Sequence, residues 1–193
     1  MSHKIKPATD LRASRSRRAL LDAAIELLLV NPSASLSDIA QHAGVGRATL
    51  YRHFESREAL IRELALESLT MTDAILRPIG DAGLSARETL EQGLTAIMQV
   101  ADRFHFLLFL WYFGDDDPEL ETIYNRQLKD VYRLIERGKQ EHSIDSSLSS
   151  EWIVSLIDSL VYAGWWAVQS GDLTAEQAGR HATQSLFNGI AAG

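Results

Sequence analysis

The stretch Ser37-Asp38-Ile39-Ala40-Gln41-His42-Ala43-Gly44-Val45-Gly46-Arg47-Ala48-Thr49-Leu50-Tyr51-Arg52-His53-Phe54 decides how the chain is read. Its spacing predicts two short helices, Leu36–Ala43 and Arg47–Phe54, that must cross closely. Ala40 is small where the first helix meets its partner. Gly44 stands just past that helix, where a left-handed residue is wanted. Ile39, Val45 and Leu50 are apolar at positions that can share a core. This combination suits a helix-turn-helix.

With Leu50 placed inward on the second helix, Ala48 and Arg52 fall near the opposite side, and Thr49 and Tyr51 flank it. Arg47 sits near the helix start and is long enough to reach outward. Such a face fits a DNA major groove: arginine can make paired bonds to guanine, and Ala or Thr methyls can touch the thymine methyl. The Tyr51 hydroxyl suits a phosphate oxygen, as does Arg57 at the start of the next helix. An ordinary solvated helix face carrying two arginines is the alternative.

Outward from the motif, the charge is uneven. The net charge is −7, yet residues 1–62 hold ten Lys/Arg against six Asp/Glu, and residues 63–193 hold nine against twenty. A basic end on an acidic body is expected where one module meets phosphate and the other does not. Hydrophobic residues make up 46% of the chain, enough for a core. Cysteine is absent, which excludes disulfides and thiolate metal sites and fits a reducing cytoplasm. No apolar segment follows the basic N-terminal residues as in a signal peptide. The longest apolar run, Phe106–Phe113, is too short to span a bilayer.

Helical spacing continues on both sides. Ser14 or Ser16 can cap a first helix to about Val30, stopped by Asn31-Pro32. Ser56 can cap a fourth, running to about Leu76 before Arg77-Pro78. Ser85–Arg103 and Phe104–Phe113 are periodic, either as two helices or as one continued. Asp117 and Pro118 open a helix to about Gln140, Ser149 or Ser150 opens one to Gln169, and Thr174 caps a last one to about Ala191. No alternating period-2 segment appears. The expected fold is all-α: a loose basic arm (1–13), a three-helix DNA-binding domain (14–60) and a helical ligand-binding and dimerisation domain (61–193), the last joined on by a long helix. The arm reads either as an unstructured terminus or as a segment that touches DNA.

In these residues the chain resembles the tetracycline-repressor-type (TetR family) regulators. The resemblance rests on Asp38-Ile39-Ala40, Ala43-Gly44-Val45, Thr49-Leu50-Tyr51-Arg52-His53-Phe54 and Ser56-Arg57-Glu58-Ala59-Leu60 and covers Ala19 to Leu64. It implies a regulator of transcription, with Arg47, Ala48 and Thr49 facing bases or the groove. It further implies that Tyr51, His53, Arg57 and Ser35 bind phosphates, and that Ser37 occupies a position that contacts DNA in some members. Gly46 departs from the family pattern, which places a capping serine or similar residue there. On the helical wheel His53 lies nearer the inside than the groove, so it reads as either a structural histidine or a phosphate ligand.

In the body, aromatic residues crowd Phe104–Phe113 and Tyr162–Trp166, reading as core packing or as an aromatic-lined pocket for a small effector. Phe109, Trp111, Tyr112, Tyr162 and Trp165 are the candidate lining. Asp158 shares its side of a helix with Ser155, Ser159 and Tyr162; that side could face solvent, a partner chain or the pocket. A carboxylate lining the pocket would favour a cationic or hydroxyl-bearing ligand. The apolar faces Ile153, Leu156, Ile157, Leu160, Val161, Gly164, Val168 and Ala178, Ala182, Leu186, Ile190 look too wide for one small domain, which predicts pairing with a second chain into a four-helix bundle.

The six histidines show no metal-ligand spacing, and the Asp115–Asp117 run reads as a helix start. No catalytic residue, cofactor or metal is expected. The expected function is a cytoplasmic, homodimeric, sequence-specific DNA-binding regulator, a repressor released from a palindromic operator by a small molecule. A DNA-binding dimer without an effector, and a helical enzyme or carrier with an incidental motif, are the competing readings.

Overall fold

A computed structural model describes the backbone of residues 8–111 and 117–189 and the side chains of residues 17–108 and 117–189. Among these the secondary structure is helical and no strand occurs. The helices are α1 (Ala8–Val30), α2 (Leu36–His42), α3 (Arg47–His53), α4 (Arg57–Gly80), α5 (Ala86–Ile97), α6 (Ala101–Trp111), α7 (Pro118–Gln140), α8 (Ser150–Gln169) and α9 (Ala175–Asn188). Two compact units divide the chain, one ending at Ala65 and the other beginning at Leu66.

In the first unit, α1 presents Leu20, Leu21, Ala24, Ile25 and Leu28 at helical spacing. These are buried together with Leu36, Ile39 and Ala40 of α2, Leu50 of α3, Phe54, and Leu60 and Leu64 of α4. Each buried aliphatic side chain contributes roughly 1.5–3 kcal/mol relative to exposure. Arg17 pairs with Glu63 and lies 5.3 Å over the Phe54 ring, tying α1 to the start of α4. Helix α1 begins earlier than Ser14 or Ser16: residues 8–13 of the expected arm are helical. Ala8, Leu11, Arg12 and Ala13 are strong helix formers placed directly after Pro7.

The second unit joins the rest of α4 to α5–α9. Helix α5 packs on α7 and α9, and α8 packs on α6, α7 and α9. Its core includes Leu69, Leu90, Leu94, Ile97, Phe106, Ile135, Ile153, Val161 and Trp165. Arg103 is only 4% exposed. Its charge is met by Glu67 at 3.4 Å and Asp102 at 3.5 Å. Asp117 accepts from the backbone N–H groups of Glu119 and Leu120, with Pro118 opening α7.

Three further boundaries differ from the sequence reading. Helix α4 passes Leu76 and Pro78 to end at Gly80; a proline in the final turn removes one hydrogen bond and leaves little helix downstream to disrupt. The periodic segment 85–103 breaks at Ile97 into a 3-10 turn, Met98–Val100, before α6. Helix α9 ends at Asn188, where Gly189 adopts φ 66°; Ile190 and Ala191 lie outside the described residues.

The expected partner-facing residues divide: Leu156, Ile157, Leu160, Val168 and Leu186 are half-buried, and Ile190 lies outside the described residues. Ile153, Val161, Gly164, Ala178 and Ala182 are buried within this one chain. The small residues bring helices of the same chain together. A Cβ on Gly164 would lie 2.6 Å from Met98 Sδ, and one on Gly179 would lie 2.7 Å from the Thr95 backbone. What α8 leaves exposed is a different stripe: Glu151, Trp152, Ser155, Ser159, Tyr162, Ala163, Trp166 and Gln169.

Candidate functional site

The turn between α2 and α3 is built by backbone geometry. Gly44 adopts φ 66°. Its N–H reaches Gln41 O at 3.1 Å, and Val45 N–H reaches Ala40 O at 2.9 Å. This Schellman pair satisfies the last carbonyls of α2 and reverses the chain toward α3. Gly46 caps α3 in an extended conformation without a side-chain bond. Val45, expected in the core, is half-buried.

Helix α3 buries Leu50 completely and turns Arg47, Ala48, Tyr51 and Arg52 to solvent, with Tyr51 54% exposed. Thr49 and His53 are half-buried. Arg52 lies back along the helix, donating from Nε to Ala48 O at 3.3 Å and from Nη2 to Thr49 Oγ1 at 3.0 Å. Arg47 makes no hydrogen bond or ion pair among the described residues. It lies close enough to Asp38 to help hold that carboxyl below its ordinary range, after the hydrogen bonds from Ser35. The His53 ring stands 6.3 Å from Phe54.

Two residues expected to bind phosphate already have partners. Ser35 caps α2 in a reciprocal box: its N–H and hydroxyl donate to Asp38 Oδ2 at 2.8 and 2.7 Å, and it accepts from Asp38 N–H. Arg57 donates from Nε to Ala34 O at 3.0 Å and from Nη2 to Pro32 O. Its fork fastens the first turn of α4 to the loop preceding α2. Ser37 is half-buried on α2. This surface offers fixed donors and two exposed guanidinium groups.

A second constellation lies on one flank of α8, between its buried face and its exposed stripe. It comprises Asp158, Tyr162 and Trp165, with His105 from α6 against the two rings. His105 stands 4.2 Å from the Trp165 ring and 4.9 Å from the Tyr162 ring; Tyr162 and Trp165 are 5.8 Å apart. His105 Nδ1 and Trp165 Nε1 are buried without a hydrogen-bond partner among the described residues. Burial pushes the Asp158 carboxyl up to about 6, with no cation contributing. Burial and then the Asp158 charge raise the Tyr124 hydroxyl on α7. Burial also lowers His105, which keeps it neutral at physiological pH.

The sequence reading did not single out His105 or Tyr124 for this site. His105 carried one signal, a polar ring between Phe104 and Phe106; Tyr124 carried none. Of the expected lining, the side chains of Phe109 and Trp111, and all of Tyr112, lie outside the described residues. Among the described residues, no group of three or more His, Asp or Glu could hold a metal. No helix among them is long and apolar enough to cross a membrane.

Residues 20–64 match the family model described as bacterial regulatory proteins, tetR family. The chain is 31% identical over 150 residues to the uncharacterized HTH-type transcriptional regulator YvdT of Bacillus subtilis, covering 74% of this chain and 76% of that one. It is 29% identical over 163 residues to the HTH-type transcriptional repressor LfrR of Mycolicibacterium smegmatis, covering 81% of each. The crystal structure of the TetR-like regulator LfrR from Mycobacterium smegmatis in complex with proflavine superposes with a TM-score of 0.72. There the identity is 26%, over 93% of this chain and 98% of that one. The chain therefore belongs to the tetR family of bacterial regulatory proteins and is a DNA-binding helix-turn-helix regulator of transcription.

Proposed function

We propose that the protein is a cytoplasmic, homodimeric repressor that reads a palindromic operator through α3 and is released by a small molecule bound on the α6–α8 flank. The carrying observation is the outward face of α3, where Arg47, Ala48, Tyr51 and Arg52 surround a buried Leu50 on the basic end of an acidic chain. Arg47, Ala48 and Thr49 read base edges. Arg52 joins them by swinging off Thr49. Tyr51 and the exposed edge of His53 meet phosphates, with Ser37 and the start of α2 beside them. Ser35 and Arg57 act first as braces that hold α2 and α4 in register, and their remaining capacity faces the DNA backbone.

Dimerisation is supported by the exposed stripe on α8. Its Trp152, Ser155, Ser159, Ala163 and Trp166 carry no charge, Glu151 stands exposed at its edge, and Trp152 and Trp166 are each 61% exposed. Four of its members mirror one another about Ser159, Trp152 with Trp166 and Ser155 with Ala163, while Tyr162 has the half-buried Leu156 as its counterpart. An antiparallel pair of such helices would set small residues at the two-fold axis and a tryptophan pair at each end. Two heads on one symmetric body explain how a module with one short reading helix reaches specificity. Effector release is supported by the polar groups without partners among the α6–α8 rings, and by a relative that has been solved with a small molecule.

Selection from a random duplex pool tests the reading. Palindromic sites should be enriched. Arg47→Ala should relax preference at one position of each half-site, at a cost of about 1–3 kcal/mol. Binding should weaken steeply with salt. A pool without symmetric enrichment, or an Arg47→Ala variant with unchanged preference, overturns the assignment.

A further inference from the structure

We infer that the flank of α8 is built for a flat organic monocation, whose charge is taken by Asp158 and whose ring system lies against His105, Tyr162 and Trp165. This rests on the proposal that the α6–α8 flank is the effector site, and it fixes the chemistry of the effector there.

Three observations converge. The first is the ring geometry. Three aromatic systems from two helices meet within 6 Å of one another. Their faces offer the negative side of a quadrupole, which attracts an organic cation and stacks with a flat one. Tyr162 is 46% exposed and Trp165 is 8% exposed, so the cluster has a wet rim and a dry floor.

The second is polarity without partners. Trp165 Nε1 and His105 Nδ1 are both buried and make no hydrogen bond among the described residues. Buried polar atoms without partners are uncommon in folded proteins and call for an explanation. The two rings that carry these nitrogens stand 4.2 Å apart, so a ligand that parts them meets two polar anchor points.

The third is the sign of the charge. Asp158 lies on the same flank, and burial alone accounts for its raised pKa. No Lys or Arg contributes to it, and His105 is held neutral by its own burial. At neutral pH the flank therefore carries a carboxylate, one and two helical turns before the uncharged rings of Tyr162 and Trp165. An anionic ligand would add a second uncompensated negative charge in a half-dry place. A cation would supply the counter-charge the carboxylate lacks, and truncating such a pair costs more than a surface pair does.

The full-length protein, free of DNA, is titrated with three tricyclic probes of similar outline: proflavine as the monocation, acridone as the neutral form and anthracene-2-carboxylate as the anion. Binding is read by calorimetry and by tryptophan quenching, for the wild type and for Asp158→Asn. The expected order in the wild type is cation over neutral over anion. Asp158→Asn should weaken proflavine by about tenfold or more and change acridone by less than about twofold.

Equal proflavine affinity in both proteins overturns the inference, as does a wild-type preference for the acridone or the carboxylate. In either case, retained binding that His105→Leu weakens leaves the effector site standing. If none of the three binds the wild type, the charge inference and the effector site fall together. The ranking within the wild type alone decides the charge question should Asp158→Asn fold poorly.

Discussion

At the scale of single residues, three positions carry predictions. Gly44 holds φ 66°, and a Cβ there would meet nothing within 4 Å. Gly44→Ala should therefore destabilise the first unit by about 1–2 kcal/mol through backbone strain alone. Gly46 stands at an ordinary extended cap, φ −69° and ψ 145°, in open space. Gly46→Ser should add a few tenths of a kcal/mol through a new bond to the first turn of α3. Thermal melts of both variants check these directions, and a stabilising Gly44→Ala would contradict the turn assignment. Asp158 gives a pH prediction. Its folded pKa of about 6 lies above the unfolded value of 3.8. The folded state thus binds its proton more tightly, and the penalty of ionisation is present above pH 6 and relieved as pH falls toward 4. Burial of His105 pulls the opposite way in the same window. The informative quantity is therefore the stability of Asp158→Asn minus that of the wild type. It should be positive at pH 7.5, by about 1–2 kcal/mol after allowance for partial exposure, and shrink toward pH 5. A difference that does not change with pH would remove the assignment.

At the scale of elements, close helix approach makes the sharpest prediction. Gly179 of α9 faces the backbone of Thr95 on α5, so Gly179→Ala must push two helices apart. The expected loss is about 1–3 kcal/mol, read by denaturant unfolding; an unchanged midpoint would mean the two helices do not meet there. Helices were legible wherever caps and apolar spacing agreed. The Ser56, Asp117 and Thr174 caps, and Ser149 of the pair Ser149 or Ser150, stand where they begin helices in the structure. The boundaries that escaped the sequence depended on neighbours or on weak signals. Nothing in 85–103 announces a 3-10 turn at Met98, and Pro78 reads as a stop although a last turn tolerates it. The outward residues of α3 were legible because one buried leucine fixes a short helix's rotation. Which residues meet across α6, α7 and α8 was not, because His105 and Tyr124 reach Asp158 and Trp165 through folding and not through spacing. The apolar faces on α8 and α9 were wider than the surface left for a partner: α5, α6 and the turn at Met98 pack on them, burying Ile153, Val161, Gly164, Ala178 and Ala182.

For the whole molecule, the exposed stripe of α8 predicts assembly. Trp166→Glu should shift the protein toward monomer in sedimentation and lower operator affinity far more than it lowers the affinity of one head for a half-site. The melting temperature of the wild type should rise with concentration, and that dependence should vanish in the variant. A monomeric wild type at micromolar concentration would remove the stripe's assigned role. Its mirror arrangement about Ser159 bears on inheritance. A residue on a two-fold axis meets its own copy, so one codon change there alters a pair at once. In a cell holding both alleles, half of randomly assembled dimers are mixed and carry the change on one side only. A substitution that is harmful when it meets itself and harmless opposite serine would then be recessive. One that spoils the contact from either side would be dominant, since only a quarter of the dimers escape it.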